Sequence, residues 1–213
     1  MKGRLFALEG IDGCGKSTQL KHLSQWLPQS GLMPKDAKLH ITKEPGGTPL
    51  GKALRKFLLD TKDEVSPEPL TELLLYAADR AQHVSTFIAP LIHKGDWVIT
   101  DRFSGSTLAY QGYGRQLDRD LILNLEHIAT FGIVPDMTFW LHLPVKESVS
   151  RRMWTIDDRM EGEGLEFLQR VSEGFSNIAH ARNWTKICAD QSSTDVSRSI
   201  ENALKNFGFA GDS

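Results

Sequence analysis

Leu5-Phe6-Ala7-Leu8-Glu9-Gly10-Ile11-Asp12-Gly13-Cys14-Gly15-Lys16-Ser17-Thr18 decides the fold. An apolar run leads into G-x-x-x-x-G-K-S, and Ser17 to Leu27 then carries Leu20, Leu23 and Leu27 on one helical face. Strand, glycine-rich turn and helix in that order make a phosphate cradle. Gly10, Gly13 and Gly15 let the chain turn with successive N–H groups facing inward, Lys16 has the reach for terminal phosphates, and the Ser17 hydroxyl suits Mg²⁺. A helix opening near Lys16 adds its positive dipole end. Gly10 to Thr18, including Ile11, Asp12 and Cys14, is therefore expected to bind a nucleoside triphosphate. A glycine turn without function is the weaker alternative. The loop alone leaves open whether the phosphate is transferred, used as a switch or hydrolysed.

Outward from this stretch, strand-like and helix-like patterns alternate, which predicts βαβ units and a mostly parallel sheet with helices on both faces. Leu39 to Thr42 reads as a second strand, Trp97-Val98-Ile99-Thr100 as a third, Met137 to Leu143 as a fourth and Lys186 to Ala189 as a short fifth. Helices are expected over Pro49 to Leu59 and Asp195 to Phe207. The longest periodic stretch is Pro69 to His93, where Pro90 predicts a break. No internal repeat interrupts the pattern.

The chain has 213 residues, 40% hydrophobic and 24% charged, values that suit one folded domain and exclude a disordered or fibrous chain. A formal net charge of −2 leaves no basic stripe for nucleic acid. The apolar runs are too short to span a membrane, and Met1-Lys2-Gly3-Arg4 enters a strand instead of a signal sequence. With only Cys14 and Cys188, a disulfide framework is not expected and a cytoplasmic setting is. Cys14 reads as a small residue filling the loop. The seven histidines show no metal-ligand spacing, and His83, one turn beyond Asp79 and Arg80, reads as a partly exposed helix residue.

Ligands of open α/β sheets collect at the carboxyl ends of strands, so the residues just after each strand carry most weight. Lys43-Glu44-Pro45-Gly46-Gly47-Thr48 follows the second strand and Asp101-Arg102-Phe103 the third. Asp101 suits the organisation of Mg²⁺ near Ser17, against the alternative of a capping aspartate. Arg102 offers a rigid fork of donors for a phosphate.

Taken together, the segments from Leu8 to Thr18, Lys43 to Thr48 and Asp101 to Phe103 resemble those of bacterial thymidylate kinases. Glu72 to Gln82 is similar to the family's nucleotide-binding helix, Ser106 to Gly112 to the signature that follows, and Asp158-Arg159-Met160-Glu161 to its lid. The resemblance implies an α/β, three-layer P-loop sandwich with a mostly parallel, five-stranded sheet. It also implies a single domain over 1–213, a lid at about 151–164, and a homodimer. The implied activity is transfer of the γ-phosphoryl of ATP to dTMP with Mg²⁺. The implied acceptor residues are Asp12, Glu44, Pro45, Tyr76, Arg80, Arg102, Ser106, Thr107 and Tyr110. Tyr76 stands four residues before Arg80, on the same helix face, to stack on the base. Thr107 is placed to hydrogen-bond the base, and Tyr110 to crowd the 2′ position of the sugar.

Lys16, Arg102, Asp12 and a lid cation are the implied catalytic set. Gly13 stands where a eukaryote-type branch carries arginine, so that cation is expected from the lid: Arg159 first, with Arg152, also a candidate ATP contact, in reserve. The lid departs from the family pattern in lacking a further arginine before Asp158-Arg159. Lys43 replaces a more common arginine, and Leu108 a glutamine. Two alternatives remain at this stage: a kinase for another nucleoside monophosphate or small metabolite, and a nucleotide-operated switch, which lacks a guanine-reading Asn-Lys-x-Asp run here.

Overall fold

The computed structural model describes residues 3–59, 66–152 and 163–207, except for the side chain of Arg152. Five strands form one sheet, β1 (Arg4–Glu9), β2 (Leu39–Lys43), β3 (Trp97–Asp101), β4 (Met137–His142) and β5 (Thr185–Cys188), in the order β2-β3-β1-β4-β5. Every pairing is parallel. Parallel strands are joined by helices that cover both faces, which is why β1 and β3 are almost unbroken apolar runs. The two-residue period of β1 divides its side chains cleanly. Phe6 and Leu8 pack with Leu23, Leu27, Ile200 and Leu204, whereas Leu5 and Ala7 pack with Val84, Ile88, Val98 and Phe103.

Helix α1 (Lys16–Trp26) follows β1, α2 (Pro49–Leu59) follows β2, and α3 (Pro69–His83) leads back toward β3. The Pro69 to His93 stretch departs from expectation. It does not break at Pro90; Val84–Ile88 forms a π-helical turn, and α4 (Ala89–Lys94) continues with Pro90 in its first turn. The widened turn absorbs the missing N–H of proline, and Gly95, at φ 96°, ends the helix. After β3 come α5 (Ser104–Thr107), a second π-helical stretch at Leu108–Gly114, and α6 (Arg119–Thr130). Beyond β4 lie α7 (Val145–Arg152), α8 (Leu165–Ala181) and α9 (Ser193–Asn206). Predicted lid residues 153–162, Arg159 among them, lie outside the described residues.

The strand order reverses around β1. Its loop and the end of β3 are brought side by side, Leu8 being paired with Asp101. Such a reversal opens a crevice at the carboxyl edge of a parallel sheet.

Candidate active site

The loop after β1 is shaped by backbone that other residues resist. Gly10 has φ 144°, and a Cβ there would sit 2.6 Å from the Leu141 carbonyl oxygen. Gly15, at φ 98°, is the N-cap of α1, and no side chain caps that terminus. Its first-turn N–H groups therefore face outward for an anion. Lys16 is nearly buried, and its Nζ donates to the carbonyls of Gly10 and Ile11, each at 3.1 Å. Ile11 and Cys14 are buried beneath the loop, where they pack and do not face the cavity.

The cavity above this loop is lined by Asp12, Gly13, Gly15, Lys16, Ser17 and Thr18, and by Lys43, Glu44, Arg55, Asp101, Arg102 and Arg151. Arg151 of α7 donates to the Ala189 carbonyl at 3.0 Å, and Ser148 of the same helix to the Asp12 carbonyl at 2.7 Å. Among the described residues Arg151 is the α7 side chain that reaches this cavity; the side chain of Arg152 lies outside the described residues.

Beside it a second, solvent-open cavity takes in Asp12, Glu44, Pro45, Tyr76, Arg80, Arg102, Ser106, Thr107 and Tyr110. These nine positions, drawn from five segments of the chain, are the acceptor residues named from sequence. Arg55, Leu59, Asp79 and Gln111 also line it and were not singled out in the sequence. Arg55 stands between Lys52 and Lys56 on α2, and its Nη1 donates to the Pro45 carbonyl at 3.1 Å. Gln111 is buried, and its amide nitrogen donates to Glu72 at 2.7 Å. Because a carboxylate only accepts, this contact fixes the amide orientation and leaves Gln111 Oε1 as an acceptor.

Asp12, Glu44, Arg55 and Arg102 belong to both cavities. Arg102, at φ 70°, is the most heavily engaged. Its Nη1 donates to the Gly10 carbonyl at 3.0 Å and Ser106 Oγ at 2.9 Å, and its Nη2 to the Asp12 carboxylate and to Tyr110 Oη at 3.2 Å. Burial alone would raise the Asp12 carboxyl, but Arg102 and Lys16, with hydrogen bonds from Tyr110 and Arg102, hold it well below the usual carboxylate range. Ser106 is in turn held by Glu9, a buried carboxylate whose oxygens accept from Ser106 Oγ at 2.5 Å and from the Phe103 and Ser106 N–H groups. Desolvation pushes the Glu9 carboxyl up despite these bonds.

Around Glu44 the structure corrects the sequence. His83 is not a partly exposed helix residue; it is completely buried, with Nδ1 2.9 Å from Glu44 Oε1 and Nε2 2.7 Å from Thr42 Oγ1. The cause is β2 and its following turn, which fold across the last turn of α3. Asp79 sits in the same cluster, its Oδ1 accepting from the Gly46 N–H at 3.2 Å. Burial first, and then the Glu44 charge, push its carboxyl up to about 6.

A raised carboxyl destabilises the fold as it ionises. Between the unfolded value near 4 and about 6 the folded chain binds more protons than the unfolded one, so this group's contribution to stability falls as pH rises through that window. Asp79→Asn keeps the acceptor for Gly46 and removes the titration. Its melting temperature relative to the unsubstituted chain is expected to rise by about 3 °C between pH 5 and pH 8, roughly 1 kcal/mol for a chain of this size. A gap that stays constant with pH would show that Asp79 does not titrate there.

Asp101 Oδ1 is buried and has no hydrogen-bond partner among the described residues. An orphaned carboxylate oxygen beside Ser17 and Lys16, in a cavity open to solvent, has the chemistry of a hard-cation ligand or of a ligand to its water shell. Among the described residues no three His, Cys, Asp or Glu side chains gather into a metal cage. A cation here would complete its shell with the oxygens of a bound phosphate, as Mg²⁺ commonly does.

Comparison with known proteins agrees with this geometry. The family model described as thymidylate kinase matches residues 8–200. Proteins named thymidylate kinase from Prochlorococcus marinus (strain MIT 9313) and Synechococcus sp. (strain CC9605) are 61% and 59% identical to this chain over 206 and 205 residues. The alignments cover 97% and 96% of this chain and 95% and 98% of those relatives. The crystal structure of thymidylate kinase from Ehrlichia chaffeensis superposes with a TM-score of 0.74 at 30% identity, covering 96% of this chain and 99% of the other.

Proposed function

The chain belongs to the thymidylate kinase family, and from that premise we infer that it transfers the γ-phosphoryl group of ATP to the 5′-phosphate of dTMP, giving ADP and dTDP. The observation that carries the residue-level proposal is the sharing of Asp12, Glu44, Arg55 and Arg102 by two adjoining cavities. One cavity holds the donor and the other the acceptor. The shared wall is where the reacting phosphates meet.

Phosphoryl transfer asks little covalent chemistry of a protein; it needs two mutually repelling anions aligned and the charge on the moving group neutralised. On the donor side, Gly10 to Thr18 wraps the triphosphate, with Lys16 and the N–H groups opening α1 turned to its terminal phosphates. Ser17 and Asp101 would hold Mg²⁺, which when bound supplies charge neutralisation between the β- and γ-phosphates. Arg102 and Arg80 take the acceptor phosphate. Arg55 contributes a further cation at the boundary. Arg159 or Arg152 is the lid cation of this scheme.

Tyr76 offers its ring to the base. Thr107 offers a hydroxyl, and Gln111 an acceptor oxygen that suits the N3–H of thymine and not the bare N3 of cytosine. Tyr110, fixed by its bond to Asp12 at 2.6 Å, stands where a ribose 2′-hydroxyl would crowd it. Asp12 faces the sugar and the cation shell, and Glu44, Pro45 and Ser106 form the wall that holds the two arginines.

We further take 1–213 as one kinase domain with a lid at about 151–164, acting as a homodimer in the cytoplasm. Support for the dimer comes from an apolar face across three neighbouring helices, where Leu50 and Phe57 of α2, Leu70 and Leu74 of α3, and Leu121 and Ile128 of α6 are exposed. Both cysteines are free, and among the described residues no helix is long and apolar enough to cross a membrane.

ADP formation with dTMP, dUMP, CMP, UMP, AMP and shikimate as acceptors tests the assignment. dTMP is expected to be preferred over CMP by about 10²-fold or more in kcat/KM, since a donor-for-acceptor mismatch leaves Gln111 unpaired. Turnover should vanish when EDTA removes the divalent cation. A preference for another acceptor, or ATP hydrolysis without any acceptor, would overturn it.

A further inference from the structure

Behind the acceptor cavity lies a buried carboxylate. Glu72, in the first turn of α3, has no solvent exposure and lines neither of the two cavities. A carboxylate sealed from water is costly unless it is paired. Gln111 Nε2 donates to its Oε1 at 2.7 Å, and Arg115 donates from Nη2 to Oε2 at 3.1 Å and from Nε to Oε1 at 3.4 Å. Arg115 is itself held, its Nη1 2.6 Å from Glu163 Oε1 and its guanidinium 5.3 Å from the Phe167 ring centroid. A planar fork gripped on that side keeps its other donors turned to Glu72.

Of these three residues, Gln111 is the one that lines the acceptor cavity. A glutamine by itself is an undecided reader of bases. Its carbonyl and amide ends are nearly equal in size, so either can be turned to a ligand: the carbonyl suits the N3–H of thymine, the amide the bare N3 of cytosine. The carboxylate behind removes the choice. Turned over, Gln111 would set its carbonyl oxygen against a carboxylate oxygen, two acceptors at hydrogen-bond distance with no proton between them. An ion pair with Arg115 would need no glutamine, yet the Gln111 contact is shorter than either contact to Arg115.

We propose that Glu72 is a positioning residue for base choice: fixed from behind by Arg115, it holds the Gln111 amide in the orientation that accepts from thymine, and so sets the site against cytosine without touching the nucleotide. The proposal rests on the assignment of this cavity to dTMP.

Glu72→Gln, which keeps the shape of the side chain, is the first test. Arg115 has donors only, so the new carbonyl turns to it. The new amide then faces Gln111, which turns over to meet it and presents its own amide to the base. 5-Methyl-dCMP is the probe, because it keeps the methyl group of thymine and differs at N3 and at the 4-position of the ring. The ratio of kcat/KM for dTMP over that for 5-methyl-dCMP is expected to fall about tenfold or more, with the 5-methyl-dCMP value itself rising about threefold. KM for ATP should stay within about twofold. Glu72→Asp, which still only accepts, should keep the ratio within about threefold even where turnover drops. Should Glu72→Gln fail to fold, Glu72→Met is the substitute, since it leaves Gln111 free to turn either way and should still lower the ratio about threefold.

Three results would overturn the proposal: an unchanged ratio in folded Glu72→Gln, a ratio that falls there with no gain for 5-methyl-dCMP, or a fall in Glu72→Asp as large as in Glu72→Gln. The first would make Glu72 no more than the partner of Arg115, and the others a packing element. The unsubstituted protein is assayed first. Equal use of dTMP and 5-methyl-dCMP there would refute the acceptor assignment itself, whereas a selective parent with an insensitive Glu72→Gln would refute only the part given to Glu72.

Discussion

Arg102→Ala is expected to reduce kcat by about 10³-fold or more while leaving a folded protein. An arginine that neutralises a transferring phosphoryl group contributes on that scale. Here the residue follows β3, borders both cavities, and carries its charge where donor and acceptor phosphates would meet. Truncation also leaves the Asp12 carboxylate with Lys16 at 3.7 Å and the Tyr110 hydroxyl as its remaining partners. A stability loss of about 1–3 kcal/mol, lowering the melting temperature by roughly 5 °C, should accompany it. Arg102→Lys is expected to recover little, because one ammonium cannot serve the four partners that the planar fork reaches. Single-turnover ADP formation at saturating dTMP and ATP, with a melting curve, checks both parts. Near-native turnover in folded Arg102→Ala would remove the residue from the reaction.

Lys16→Ala should be comparably severe, again about 10³-fold in kcat, with little change in KM for dTMP. Its ammonium is held over the loop by the Gly10 and Ile11 carbonyls, at the opening of α1. Bound phosphate oxygens would draw it away from those neutral acceptors and give it a charged partner in a site from which most water is excluded. The acceptor cavity does not contain Lys16, which is why acceptor affinity should survive. Equilibrium binding of dTMP beside pre-steady-state turnover separates the two quantities. A loss of dTMP binding as large as the loss of turnover would mean that the loop, and not the ammonium alone, had been damaged.

Local patterns in the chain specified the sheet well. β1 and β3 are short apolar runs bounded by polar turns, and α2 carries its apolar residues at strict helical spacing, so each announces itself within a dozen residues. The cradle residues were equally legible, because Gly-x-x-x-x-Gly-Lys-Ser makes sense only between a strand and a helix. What local pattern does not carry is contact across the sheet edge. His83 meets Glu44 and Thr42 across a separation of some forty residues, and nothing within α3 distinguishes its position from a solvated one. Arg55 is hidden likewise, since Lys52 and Lys56 beside it make its neighbourhood look like a plain charged surface. The π-helical turn at Val84–Ile88 escaped for a different reason: helical periodicity persists across it with only one residue of slippage. Arg159 and Arg152 depended on family likeness alone, and their side chains lie outside the described residues.

The bond between Asp12 and Arg102 bears on life among competing anions. A bare guanidinium at the meeting point of two nucleotides would be occupied by any stray phosphate or sulfate in its surroundings. Asp12 serves as its resident occupant and can be dislodged only by an anion delivered at high local concentration. In the proposed scheme a nucleotide anchored elsewhere, by its base beside Tyr76 and Gln111 or by its triphosphate on the glycine loop, would deliver its phosphate in that way, and a free ion would not. In that scheme the carboxylate would work as a gatekeeper, screening out small anions while admitting tethered ones.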